Sequence, residues 1–168
     1  VGARDGFLLE SVEHGERWSR FSFVGRDPVA TLLLRDGRVE VTGTLPVDVA
    51  TDRGILAVLE QLLATYRAPV IPELPPLHGG LMGYLGYDVI REVERLPNAP
   101  PSDQRFPDAV MSMIGSLAAF DHWLQRLTLI ESVPIHTDDE AELDTAFDAA
   151  VARLEAAVGA LGRPLPYV

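Results

Sequence analysis

The spacing of apolar positions along the chain predicts strands first and helices second. Phe7, Leu8 and Leu9 form an apolar run that ends in Glu10 and Ser11. Arg20-Phe21-Ser22-Phe23-Val24 alternates with period two, which sets Phe21 and Phe23 on one strand face and Arg20, Ser22 and Val24 on the other. In ATLLLRDGRVEV (30–41), two β-rich runs flank Asp36-Gly37, a pair suited to a type I′ turn, so a hairpin is predicted. Helical spacing follows, with Thr51 or Asp52 as cap, Ile55, Leu56, Leu59, Leu62 and Leu63 as the apolar side, and Tyr66 as the end. The glycine-rich stretch 79–86 reads as a strand that turns into a short helix over 88–94. Two apolar strands, about 109–120 and 124–133, meet at Asp121-His122-Trp123. Thr137 then caps a long amphipathic helix with an acidic first turn, as the helix dipole favours. Its stripe is Leu143, Phe147, Val151, Leu154 and Val158, and Gly162 and Pro164 end it. Proline-rich loops separate these elements at 69–76 and 97–107. Hairpins with flanking helices give an α+β fold, a mainly antiparallel sheet.

Composition narrows the chemistry. The chain has 168 residues, enough for one domain, and a net charge of −11 that argues against a nucleic-acid partner. All 14 basic residues are arginine, so no lysine base, Schiff base or phosphate-loop lysine is available. Cysteine is absent, which removes disulfides and thiolate chemistry. Apolar runs are too short for a membrane span and no secretory signal is visible, so a cytoplasmic location is expected. The four histidines lie far apart in sequence, and the acidic run from Asp138 lacks the glycine and glutamate of a calcium loop. Gly80, Gly83 and Gly86 do not make a dinucleotide fingerprint. They suit close backbone approach within a strand instead, with Tyr84 and Tyr87 expected to bury their rings. No catalytic residues and no metal site are expected.

Glu10, Ser11 and Arg20 leave two readings open on the residues alone. One is a structural ion pair of Glu10 with Arg20 across neighbouring strands. The other is a pocket for a zwitterionic amino acid, with Glu10 for its ammonium, Arg20 for its carboxylate and a hydroxyl at Ser11.

FLLESVEHGERWSRFSFVG (7–25), followed by the Asp-Gly hairpin and HGGLMGYLGYDVIREVERLP (78–97), resembles the N-terminal region of anthranilate synthase component I. The resemblance implies a regulatory domain over 1–162 and a linker over 163–168 towards a chorismate-binding catalytic domain outside this chain. It also implies an allosteric L-tryptophan site at Leu9, Glu10, Ser11 and Arg20, the last standing where the family carries lysine. No cofactor is expected in this stretch, since the magnesium ligands belong to the catalytic domain. The implied partners are that domain and a glutamine amidotransferase subunit. The related aminodeoxychorismate synthase component I has a similar region but varies the first motif, so intact Leu8-Leu9-Glu10-Ser11 favours the anthranilate branch. A purely scaffolding role and a free-standing enzyme of unknown type are the remaining alternatives.

Overall fold

The β-rich runs form strands and the 3.6-period runs form helices, in the order the sequence predicts, with differences at their ends. A computed structural model describes residues 6–12, 18–45, 47–98 and 106–164, with the side chains of residues 11, 12, 18 and 19 outside that description. The expected linker beyond residue 164 and residues 99–105 of the second proline-rich loop also lie outside the described residues. Among the described residues the strands are β1 (Gly6–Val12), β2 (Trp18–Arg26), β3 (Ala30–Arg35), β4 (Arg38–Gly43), β5 (Leu81–Leu85), β6 (Ala109–Met113), β7 (Ser116–Asp121) and β8 (Arg126–Glu131). The helices are α1 (Ile55–Thr65) and α2 (Glu140–Leu161), with short 3-10 turns at Thr51–Arg53 and Tyr87–Glu92. Every strand pairing is antiparallel, and the fold class is α+β. None of these helices is long and apolar enough to cross a membrane.

The chain forms two compact units. In one, four strands lie in the order β4-β3-β6-β5. The predicted Asp36-Gly37 turn joins β3 to β4, with φ of 50° and 70° at its two residues, as a type I′ turn requires. Helix α1 lays Ile55, Val58, Leu59 and Leu62 against Leu32, Leu34, Val39 and Ala109 of this sheet, and these residues with Val89 are its buried core. Each buried Leu, Ile or Val among them contributes roughly 1.5–3 kcal/mol. The helix begins later than the expected Thr51 or Asp52 cap, because Gly54, at φ 88° and ψ 170°, breaks the backbone from the 3-10 turn before it. Glu92 supplies the cap: its carboxylate oxygens accept from the backbone N–H of Ile55 at 2.8 Å and Leu56 at 2.9 Å. Gly83 does permit the close strand approach expected of it, since a Cβ there would stand 1.8 Å from the Val110 carbonyl oxygen. Tyr84 and Tyr87, expected to bury their rings, are 45% and 90% exposed, and the Tyr84 hydroxyl donates to the Pro107 carbonyl.

The other unit holds a sheet in the order β1-β2-β7-β8. The single strand expected over 109–120 is broken at Ile114-Gly115, so that β6 belongs to one sheet and β7 to the other. Cross-strand partners share a face in an antiparallel pair, which sorts this sheet into two sides. Phe7 and Leu9 of β1 lie with Gly25 and Phe23 of β2 and with buried Leu117 and Ala119 of β7. The Phe7 ring occupies the space a side chain at Gly25 would need. Leu8 and Glu10 lie on the opposite side with Val24 and Ser22, Ala118 and Phe120, and Leu129 and Leu127. Helix α2 packs on this second side, its Leu154 and Ala157 facing Val24, Ala118 and Leu129. Glu131, whose side chain is 6% exposed, fastens the helix by accepting from Ser116 Oγ at 2.5 Å and Arg153 Nε at 2.9 Å. Asp139, not Thr137, is the N-cap of α2: its Oδ1 accepts from the backbone N–H of Ala141 and Glu142, while Thr137 Oγ1 accepts from Asp139.

Candidate functional site

Strand β1 is an edge of its sheet, and its register with β2 is regular from Gly6–Arg26 through Glu10–Ser22. The next pair is Val12–Trp18, so the single residue Ser11 stands opposite Ser19, Arg20 and Phe21. Such a bulge re-aims side chains and interrupts pairing, a device that recurs beside binding sites. It falls within the stretch that the sequence marked. The Ser11 side chain itself lies outside the described residues.

Arg20 does not pair with Glu10. Its Nε and Nη2 both donate to Asp121 Oδ2, at 3.0 and 2.8 Å. Asp121 closes β7 and sits opposite Phe21 in the sheet register. Its other oxygen, Oδ1, accepts from the backbone N–H of Trp123 and Leu124, fixing the turn into β8. The guanidinium also lies 4.9 Å from the Phe21 ring centre and 5.3 Å from that of Trp123, within cation–π range. Its hydrogen bond with Asp121 raises the Arg20 pKa above its ordinary value and lowers that of Asp121 below the usual carboxylate value. The ion pair expected between Glu10 and Arg20 is therefore replaced by one with Asp121, 101 residues away in sequence.

Glu10 stands on the other side, across from Ser22. Ser22 Oγ is 2.8 Å from His122 Nε2, and the His122 ring meets Phe120 edge-on at 4.8 Å between centres. Leu9, 38% exposed, alternates to the side of Phe7 and Phe23. The four residues picked out by sequence thus gather at one end of the β1–β2 pair, but Leu9 and Glu10 face opposite ways. Asp121, Trp123, Ser22 and His122 complete the surroundings. Of these, Asp121-His122-Trp123 read only as a turn in the sequence, and no spacing signal links it to Arg20. Among the described residues no three His, Asp or Glu side chains come together as a metal-ligand set.

No protein-family model matches the chain. Curated relatives do. Anthranilate synthase component 1 of Mycobacterium tuberculosis is 40% identical over 163 residues, which is 95% of this chain and 32% of that protein. The protein of the same name from Thermus thermophilus is 40% identical over 162 residues, 96% of this chain and 31% of its own length. The chain therefore spans about a third of the length of the curated relatives it matches. Among solved structures, anthranilate synthase component I from Streptococcus pneumoniae superposes with a TM-score of 0.57 at 23% identity, covering 99% of this chain and 33% of that one. At that identity the likeness concerns the fold.

Proposed function

We propose, from the premise that this chain is homologous over nearly its whole length to a third of anthranilate synthase component 1, that it is the tryptophan-sensing regulatory part of such an enzyme. The observation that carries the reading is the 40% identity sustained over 163 residues, 95% of this chain. In this reading the longer protein makes anthranilate from chorismate in tryptophan biosynthesis, with ammonia from a glutamine amidotransferase subunit. This stretch performs no turnover by itself. L-Tryptophan binds at the edge of β1, where a ligand can straddle the strand and meet side chains from both faces. Glu10 receives its ammonium, Arg20 its carboxylate, Leu9 its apolar part and Ser11 a hydrogen bond. Tryptophan changes activity only as far as it binds one arrangement of the enzyme better than another.

Calorimetric titration of the chain with L-tryptophan and D-tryptophan tests the proposal. Weak binding with preference for the L form is expected; an equal response, or none, at millimolar ligand removes the sensor function from this chain. In the longer enzyme, feedback inhibition that survives both Glu10→Ala and Ser11→Ala sinks the residue assignment. The ion pair of Arg20 with Asp121 supports a second reading, in which Arg20 belongs to the scaffold only. That reading requires Arg20→Gln to lower stability while leaving tryptophan affinity unchanged.

A further inference from the structure

Arginine carries five N–H donors in a planar fork. In Arg20, Nε–H and one Nη2–H are spent on Asp121 Oδ2, and the planar group lies against the rings of Phe21 and Trp123. The edge formed by Nη1 and the second Nη2–H has no acceptor among the described residues, and the side chain is 42% exposed. That edge has the geometry to take a carboxylate by two parallel hydrogen bonds. Asp121 cannot move easily to cover it. It is 7% exposed, and its Oδ1 is held by the N–H groups of Trp123 and Leu124. A flexible arginine is thereby set in one orientation before any ligand arrives, which lowers the ordering cost of binding.

We infer that Asp121 is a positioning residue of the effector site, holding Arg20 so that its free guanidinium edge meets the ligand carboxylate, with Trp123 as the second wall. The inference rests on the tryptophan-sensing reading above and extends it to the β7–β8 turn. It predicts that Asp121 governs discrimination by carboxylate while leaving recognition of the indole alone.

The test is calorimetric titration of the chain with L-tryptophan and with tryptamine, which lacks the carboxylate, for the natural sequence, Asp121→Asn and Asp121→Glu. Asparagine keeps an acceptor for the Trp123 and Leu124 N–H groups, so the turn persists, and thermal unfolding checks this. The natural chain should prefer tryptophan, and Asp121→Asn should shrink that preference by roughly tenfold, the worth of one charge-assisted contact, with tryptamine affinity unchanged. Asp121→Glu should restore part of it. If neither variant folds, Trp123→Leu, which leaves the carboxylate in place, should shrink the same ratio. A preference that is undiminished in the folded variants overturns the inference and leaves the sensor reading standing. A natural chain with no preference for tryptophan over tryptamine overturns both.

Discussion

Gly54→Ala attacks α1 from two directions at once. Gly54 holds φ 88° and ψ 170°, a conformation that side chains other than glycine enter at a cost of about 1–3 kcal/mol. A Cβ there would also stand 2.6–2.7 Å from the carboxyl atoms of Glu92, displacing the group that caps the helix. Losing a cap costs about 1 kcal/mol. Alanine also restricts the unfolded chain, which offsets roughly 0.4–1 kcal/mol. Strain and the lost cap win, for a net loss of about 2–3 kcal/mol. With a urea slope near 2 kcal/mol/M, the midpoint should fall by about 1–1.5 M. The assay has to watch the right unit. Both tryptophans, Trp18 and Trp123, belong to the other one, so far-UV circular dichroism or amide exchange within α1 is the readout rather than indole fluorescence. In a Glu92→Ala background the cap is already gone, so Gly54→Ala should cost about 1 kcal/mol less. A midpoint shift below about 0.3 M for Gly54→Ala, or additive effects in the double variant, would refute the cap.

Gly83→Ala should destabilise the β5–β6 pairing by roughly 3 kcal/mol or more, since its Cβ meets backbone rather than a movable side chain; soluble yield and urea midpoint report it. Glu131→Gln should loosen α2 by about 1–3 kcal/mol, because buried Glu131 joins Ser116 to Arg153, and amide exchange along the helix should quicken before that in β2 and β7. The Asp121 carboxyl titrates below its ordinary range, so its contribution is fully present above the unfolded value near pH ~4 and fades as pH falls through the folded value. Asp121→Asn should therefore be less stable than the natural chain at pH 7, with the gap closing on acidification below about pH 4. A gap that is constant from pH 7 to pH 2 contradicts the pairing.

Local signals were the legible ones. Asp36-Gly37 specified its turn because both residues tolerate positive φ. The α1 stripe located its buried side through Ile55, Leu59 and Leu62, but the side is turned towards Val58, which is fully buried, and away from Leu63, which is 59% exposed. Partners supplied from afar were not legible. Glu92 caps a helix that starts 37 residues earlier, and Asp121 binds an arginine 101 residues before it. Neither distance leaves a mark on spacing. The apolar run over 109–120 hid the break at Ile114-Gly115, since β6 and β7 are both partly buried strands rich in apolar residues. The bulge opposite Ser11 was equally hidden, since the spacing of apolar residues on either side of it carries no sign of the register shift.

That break has a consequence for how the chain is made. The inner strand β6 of one sheet and the inner strand β7 of the other are consecutive in sequence, and each pairs with a partner translated far earlier: Leu33 with Val110, and Phe21 with Asp121. At about 5–20 residues per second, a ribosome leaves β1 to β4 waiting several seconds for those partners. Both sheets are then completed over the 23 residues from Ala109 to Glu131. Through that interval the apolar faces of β2 and β3 are open to misassociation, and chains halted before residue 109 can complete neither sheet.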